Sequence, residues 1–480
     1  MTAAKAQERL ARLVPCFAIL VVACWIPLLL PPHHSFDDAE PEILNGAYRL
    51  ARGLPLYHGL EGPPWVITPY PPLYTGLVAL AVRLTSLSFL PGRLISLLST
   101  LCLAWAFVVL ARRWGGKARD GLFAFALVLL IPAGVHNAFR PHPQMFAVAL
   151  SVAAFVTFGE PSLPWVVSPV LAVLACYAKQ TQIALPLATG FFLLTRDRPR
   201  LARYALSVVI LGLVPFLVLE GATDGAFFES IGPLAVLPYS LLQVFTMGIQ
   251  LLGFLLPFHC LAFVRLRDRV RRGELELLDV YLVAVVLVTI PTLGRAGAYT
   301  QYVLELVVVE VLYLLRTGGF AFPAGWERFG VVQLLALFLY GPAFVLVQEG
   351  SFDRASNKAA PEVRALLETV PGPILTQQGS FSLFTRGEIH IQLFHFVGLA
   401  RLGRWDEGLI LGEVRSRALA WVVTESPLEG PLDTNPDRER FTPELWEALG
   451  ANYERRALIG PYYVYAPRGS PAATARTPGT

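Results

Sequence analysis

Charge is what this sequence has least of. Only 15% of its 480 residues are charged, against about 25% in soluble domains. A soluble fold would have to leave much of a 55% hydrophobic composition facing water. The mean hydropathy of +0.54 agrees, and a lipid bilayer is the solvent such a chain fits. Lysine is rarer still: Lys5, Lys117, Lys179 and Lys358 are the only four, so the basic side is almost all arginine. The net charge of +4 is too small to indicate a nucleic-acid partner. The five cysteines (Cys16, Cys24, Cys102, Cys176 and Cys260) lie in apolar runs without zinc-ligand spacing. They read as small buried hydrophobes and not as a disulfide framework. A small-x-small cleavage site is also missing after the apolar run 13–30, which ends in Pro31-Pro32-His33-His34. An uncleaved first helix is therefore expected. There is no internal repeat.

What is present is a series of apolar runs, and crossing the hydrocarbon takes about 20 apolar residues as a helix. Spans are expected near 12–30, 92–111, 119–136, 143–158, 163–178, 182–195, 203–221, 241–264, 277–293, 302–316 and 329–347, about eleven in all. Basic clusters occur at Lys5/Arg9/Arg12, Arg112/Arg113/Lys117/Arg119, Arg196/Arg198/Arg200/Arg203 and Arg265/Arg267/Arg269/Arg271/Arg272, with a weaker pair at Arg316/Arg328. With those spans every cluster falls on the cytoplasmic side. The N-terminus is then cytoplasmic, and the loops 31–91, 137–142, 179–181, 222–240 and 294–301 face outward. Residues 72–90 are apolar enough to cross, but a crossing there would invert every later cluster, and Arg83 interrupts the run. They are expected along the outer interface. The expected fold class is thus a polytopic α-helical membrane protein with interfacial helices and a small C-terminal α/β extracytoplasmic domain. Residues 1–347 form the membrane part and 348–467 the outer domain, with strands near 373–377, 418–424 and 461–466 and helices near 360–369, 391–403, 406–416 and 442–453. The tail 468–480, rich in Gly, Pro, Ala and Thr, is expected to be disordered.

The outer loops carry the chemistry. Asp37, Asp38 and Glu40 put three acids within four residues at a membrane surface. They suit a helix N-terminus, where acids complement the dipole. They also suit a general base or a divalent-cation site. Tyr57 and Tyr70 are amphipathic anchors. Arg93, Arg140, His142, Lys179, Gln180, Arg295 and Tyr302 sit at the same face, at corners between apolar runs. Lys179 in an apolar setting should meet an anion or snorkel to the interface. Each of these cations alone is an ordinary helix-end anchor. Their shared sidedness suits a phosphate-bearing lipid, which needs cations for phosphate and a carboxylate for an acceptor.

The ordered set Asp37-Asp38-Ala39-Glu40, Gly53-Leu54-Pro55-Leu56-Tyr57, Tyr70-Pro71-Pro72-Leu73, Gly92-Arg93 with Ser96, Tyr177-Ala178-Lys179-Gln180-Thr181, and Gly294-Arg295-Ala296-Gly297 with Tyr302 and Glu305 spans most of the chain. It resembles the GT-C superfamily, membrane glycosyltransferases that use polyprenyl-phosphate-linked sugars. The bacterial branch related to protein mannosyltransferases and aminoarabinose transferases is the most similar. The resemblance implies a hexosyl- or pentosyltransferase of the cell envelope that moves a sugar from a polyprenyl-phosphate donor to a glycan, lipid or protein acceptor, with inversion. It implies Asp37 or Asp38 as base or as ligand of a divalent cation. It implies Lys179, Arg93 and Arg295 as phosphate contacts, and a plasma or inner membrane location. Glu40, Tyr57, Tyr70, Arg140, His142, Gln180 and Tyr302 complete the expected substrate site. The chain departs from the family where Arg140-Pro141-His142 replaces Arg-x-Asp, where Arg295 replaces Lys and Gln301 replaces Asn, and where Gln377 replaces an acid after the first outer strand. A transporter would instead cluster ionisable groups near the midplane in repeated halves. A non-catalytic GT-C scaffold would make both aspartates replaceable.

Overall fold

A computed structural model describes Pro15, Ser35, Asp37 and residues 39–470, apart from 321, 323, 324, 327, 338, 340–351, 433 and 434. Asp38, the expected first span beyond Pro15, the end of the last expected span and the tail after residue 470 lie outside the described residues. The chain is mostly helix, with one small sheet near its end.

The apolar runs fold as helices at Leu90–Arg113, Ala118–Leu130, Pro143–Thr157, Val167–Ala178, Ala184–Arg196, Arg198–Ala222, Leu241–Arg272, Leu277–Thr292 and Leu304–Arg316, with Arg328–Leu337 after them. Local chemistry sets several ends. Asp197 accepts the Arg200 N–H at 2.9 Å to start one long helix, and Ser240 caps the next through Gln243. Gly273 at φ 70° closes that helix. Among the described residues two helices are long and apolar enough to cross a bilayer alone, Leu90–Arg113 and Arg198–Ala222; bent pairs raise this to four at most. The other apolar helices have 10–17 residues, so helix length does not by itself give the eleven crossings expected from hydropathy. The expected continuous span 119–136 is corrected. The chain turns by 91° between Ala118–Leu130 and Pro132–Phe139, because Ile131 is extended and proline cannot continue the preceding helix. Pro72–Leu84 is a 13-residue helix, about 20 Å long and shorter than the hydrocarbon. It buries Tyr74, Val78 and Val82 and leaves Leu77, Leu80 and Leu84 exposed.

Toward the C-terminus, β1 (Ile374–Thr376), β2 (Trp421–Thr424), β3 (Tyr453–Ile459) and β4 (Tyr462–Pro467) form a sheet of order β1-β2-β4-β3. β1 and β2 are parallel, with Ile374 opposite Trp421; the other pairs are antiparallel. β1 and β2 are buried throughout, which fits their apolar sequence. The Gly379–Arg386 and Asn435–Arg440 helices add to those expected.

This region is bound to the loop that holds the Ala39–Ala51 helix and Trp65. One hydrophobic core joins Trp65, Ile67 and Leu234 to Leu375, Ile391, Phe396 and Val422. A second joins Ile43, Leu44 and Tyr74 to Leu383 and Ile389. Trp65 N–H donates to His390 O at 2.8 Å and accepts at its own carbonyl from Gln392 N–H at 3.0 Å. The Gln392 amide accepts from Ile67 N–H and donates to Ile67 O, at 2.8 and 3.1 Å. Arg49 pairs with Glu388. His395 Nε2 lies 2.8 Å from Leu234 O.

The Leu90–Arg113 helix carries the corner that the site needs. Gly92, Ser96 and Thr100 share one face at four-residue spacing. Ser96 Oγ donates to Arg140 O at 2.6 Å and Thr100 Oγ1 to Ala138 O at 2.9 Å. A Cβ on Gly92 would stand 2.4 Å from Pro141 Cβ. Gly92→Ala should therefore lower stability by about 1–3 kcal/mol, read as a lower melting temperature in detergent; an unchanged melting temperature would disprove this packing. A pH effect follows from His395. Burial pushes its imidazole down to about 4, helped by positive Arg295 and opposed by the Leu234 hydrogen bond. The unfolded histidine binds a proton near 6.5, so between these values the unfolded state holds more protons and stability falls as pH falls. Melting temperature should decline across that window, and His395→Gln should flatten the decline; equal slopes would remove His395 as its source.

Candidate active site

A cavity of about 580 Å³ opens where the loop around Ala39–Ala51 and Tyr70, the Arg140 corner, the Lys179 turn, the 294–302 segment and the C-terminal region meet. Its walls include Asp37, Tyr70, Arg140, His142, Lys179, Gln180, Arg295 and Tyr302, so eight residues expected from the sequence converge on one space.

Asp37 caps the Ala39–Ala51 helix. Its Oδ1 accepts the N–H groups of Ala39 and Glu40, at 3.0 and 2.9 Å. Its Oδ2 accepts from Arg140 Nη1 at 2.8 Å and lies 3.2 Å from His142 Nε2. The side chain is still 29% exposed, so a ligand can reach it. Burial alone would raise the carboxyl pKa; His142, Arg140 and the Glu40 N–H outweigh that and hold it well below the usual carboxylate range. Asp37 is therefore a fixed negative charge and a weak base.

Lys179 ends the Val167–Ala178 helix and is 2% exposed. Its Nζ donates to Gln144 Oε1 and sits over the rings of Tyr302 and Tyr70, 4.6 and 5.8 Å from their centroids. No carboxylate lies within ion-pair distance of it among the described residues. Burial, and then positive Arg295, push its ammonium pKa down, while Glu305 opposes. Arg295 is held by its backbone: its carbonyl accepts from Gln243 Nε2 at 2.9 Å, and it bridges to Tyr239. Its Nε is buried with no partner among the described residues. Gly297, at φ +76°, packs against Phe394, whose ring a Cβ would meet at 3.1 Å. Gln180 Nε2 donates to Pro69 O at 2.7 Å, and its Oε1 is buried without a partner among the described residues.

Three expected site residues stand behind the wall. Glu40 and Arg93 pair with each other at 3.0 Å, 0% and 3% exposed, and Arg93 also lies over Phe89. Tyr57 donates to Tyr70 O at 2.8 Å and packs edge-on against Phe227. None of the three lines the cavity. His136, Tyr299, Gln301, Phe394, His395, Glu42 and Glu439 do line it, beyond the expected set. His136 stacks on Tyr299 with centroids 5.7 Å apart. Gln377, the expected departure, bonds Glu425 N–H and faces Asp437 instead.

Asp37 is a poor fit to a divalent cation. Both its oxygens already meet donors, two of them on Arg140 and His142. No group of three His, Cys, Asp or Glu residues gathers anywhere among the described residues. No chemical step is routed through a metal here.

Comparison with known proteins supports the same fold. Residues 68–232 match the model of glycosyltransferase family 87. No curated protein sequence matches the chain. ArnT from Cupriavidus metallidurans in the apo state superposes with a TM-score of 0.64 at 15% identity, covering 94% of this chain and 97% of that one. The same ArnT bound to undecaprenyl phosphate gives 0.61 at 15% identity, with the same coverage. The oligosaccharyltransferase of Archaeoglobus fulgidus in the apo form gives 0.55 at 11% identity, covering 88% of this chain and 69% of that one. The family match covers part of the chain, and the structural matches, at 15% identity or less, show a fold shared with these proteins.

Proposed function

We propose that this protein moves a sugar from a polyprenyl-phosphate donor to an acceptor at the extracytoplasmic face of the plasma or inner membrane. The observation that carries this reading is the pair Lys179 and Arg295. Both face the cavity, and neither has a carboxylate partner among the described residues. A buried cation without a counter-ion is costly, and a phosphate would supply one. The ArnT structure with undecaprenyl phosphate lends support at the level of the fold.

The lipid tail has a candidate path. A groove of about 600 Å³ runs from Pro72 and Leu73 past Gly76 and Leu77, facing Val173 and Tyr177 and closed by Leu211 and Val218. It begins two residues beyond Tyr70, which lines the cavity. In the proposed reaction Lys179 and Arg295 hold the phosphate. The acceptor hydroxyl oxygen attacks the anomeric carbon from the opposite side, with inversion. The bond from that carbon to the phosphate oxygen breaks, and the phosphate leaves with the electron pair. Cations aimed at the charge growing on it supply the main electrostatic assistance. Asp37 orients the hydroxyl, whose proton passes to Asp37 or to water as the new bond forms. In this reading residues 1–347 form the catalytic membrane part, with about eleven crossings, and 348–467 the outer domain.

One observation favours a second reading, a GT-C scaffold without catalysis: Asp37 is fully engaged as a helix cap and ion-pair partner. Sugar transfer in reconstituted membranes separates the two. A panel of radiolabelled polyprenyl-phosphate sugars would be offered with cell-envelope acceptors to the wild type and to folded Asp37→Asn, Asp38→Asn, Lys179→Met and Arg295→Met. The proposal expects transfer by the wild type, with losses of about 10²-fold or more for Lys179→Met and Asp37→Asn. Unchanged transfer by Asp37→Asn would remove its catalytic role. Absence of both transfer and donor binding in the wild type would leave the scaffold.

A further inference from the structure

A second feature shares no lining residue with the cavity and has no part in the reaction above. An apolar groove of about 530 Å³ runs between the Ala184–Arg196, Leu241–Arg272 and Leu277–Thr292 helices. Phe191, Leu266, Val270, Val283 and Leu287 form its walls. Its volume is in the range of ligand sites. The only ionisable residue in its lining is Asp279, which is already taken by Arg269 through two hydrogen bonds of 2.8 and 3.0 Å.

The rim of the groove is basic, and its acids have partners; Asp197, beside Arg196, caps the Arg198–Ala222 helix through the Arg200 N–H at 2.9 Å. Asp268 meets Arg267 at 3.0 Å, Glu274 meets Arg272 at 2.9 Å, and Glu276 meets Arg316 at 2.9 Å. Arg196 is the exception. Its Nη2 donates to the carbonyl of Leu275, a groove residue, at 3.2 Å. That bond fixes the guanidinium at the end of the groove, exposed and without an acid among the described residues. Arg271 follows the groove residue Val270 and likewise has no acid among them. A slot for a hydrocarbon chain therefore ends at cations that lack an anion.

We infer that this groove holds one acyl chain of an anionic phospholipid, with its phosphate at Arg196. The apolar walls take the chain by the hydrophobic effect. The arginine fork suits phosphate oxygens, and basic pockets between membrane helices are where anionic headgroups bind. A zwitterionic lipid would gain the chain contacts but less from the excess positive charge. A second protein copy would have to bury Arg196 and Arg271 without partners, which disfavours it as the occupant.

Native mass spectrometry of the full chain in detergent tests this, with added phosphatidylglycerol or phosphatidylcholine. The wild type should retain phosphatidylglycerol several-fold more than phosphatidylcholine. Arg196→Gln should cut that excess several-fold. Val283→Trp, which fills the slot from a position already 43% exposed, should lower retention of both lipids. Arg203→Gln, on the same basic segment but outside the groove lining, should behave as wild type. Equal retention of the two lipids by the wild type would overturn the inference. So would an unchanged excess in Arg196→Gln, or a protein dimer that excludes lipid. If Val283→Trp fails to fold, the Arg196 and Arg203 pair decides alone.

Discussion

The ion pair between Glu40 and Arg93 is the constraint on which the cavity depends. Both side chains are almost completely buried, where an unpaired charge costs several kcal/mol. Removing either one takes a partner from the other. Glu40 lies in the first turn of the Ala39–Ala51 helix and Arg93 in the first turn of the Leu90–Arg113 helix. The pair therefore locks two helix N-termini together. Asp37 lies three residues before Glu40, and Gly92 and Ser96 flank Arg93 against the Arg140 corner. Fixing the pair brings the Asp37 carboxylate to Arg140 and His142 as a geometric consequence. The charged residues that look most catalytic in the sequence thus divide into a buried clamp and an exposed partner.

The cavity that results is electrostatically uneven. Asp37, on its wall, is spoken for by a guanidinium, an imidazole and two backbone N–H groups. Lys179 and Arg295 have no such satisfaction. They lack a carboxylate partner among the described residues, in surroundings partly shielded from water, where each charge acts more strongly than in solution. Such a site is prepared for an anion with several oxygens. It is poorly prepared for strong base catalysis, because a carboxylate held far below its usual pKa has little affinity for a proton. If transfer occurs here, most of the rate should come from stabilising the leaving phosphate and less from deprotonating the acceptor. That weighting follows from His142, which adds a donor beside Asp37 where a second carboxylate would have raised its pKa.

Much of this could be read from the sequence because polarity is scarce in it. A lysine, a glutamine or an arginine at the end of an apolar run stands out, and the sidedness of the arginine clusters sorts such corners onto one face. Eight of the twelve expected residues meet at the cavity for that reason. The sequence could not separate residues that face a cavity from residues that pair behind its wall. Glu40 and Arg93 are 53 positions apart, and only the fold brings them together. His136 stayed hidden because it lies in a run that reads as one continuous helix, whereas the chain bends at Pro132 and turns that histidine inward. β3 was missed because Glu454, Arg455 and Arg456 interrupt the apolar alternation of a strand that is half exposed. Phe394 and His395 reach the cavity from a region whose composition suggests a separate soluble domain.

That last point changes how the C-terminal region should be regarded. Its cores are shared with the loop that carries Trp65 and Ile67, not merely placed next to it. Trp65 and Ile67 come from the loop, yet they pack with Ile391, Phe396 and Val422. The Gln392 amide closes a two-bond lock on Ile67, and the next loop residue, Thr68, lines the cavity. Gly297 accepts the Phe394 ring beside Arg295. One wall of the cavity therefore exists only while the C-terminal region is docked. The docking surface is part apolar core and part backbone ladder, and a ladder of two or three hydrogen bonds contributes only about 1 kcal/mol per bond. Shared apolar burial must supply the rest. A change deep in that shared core, far from any charged group, should therefore disturb the cation site by moving Phe394 and, through Gly297, the segment that carries Arg295.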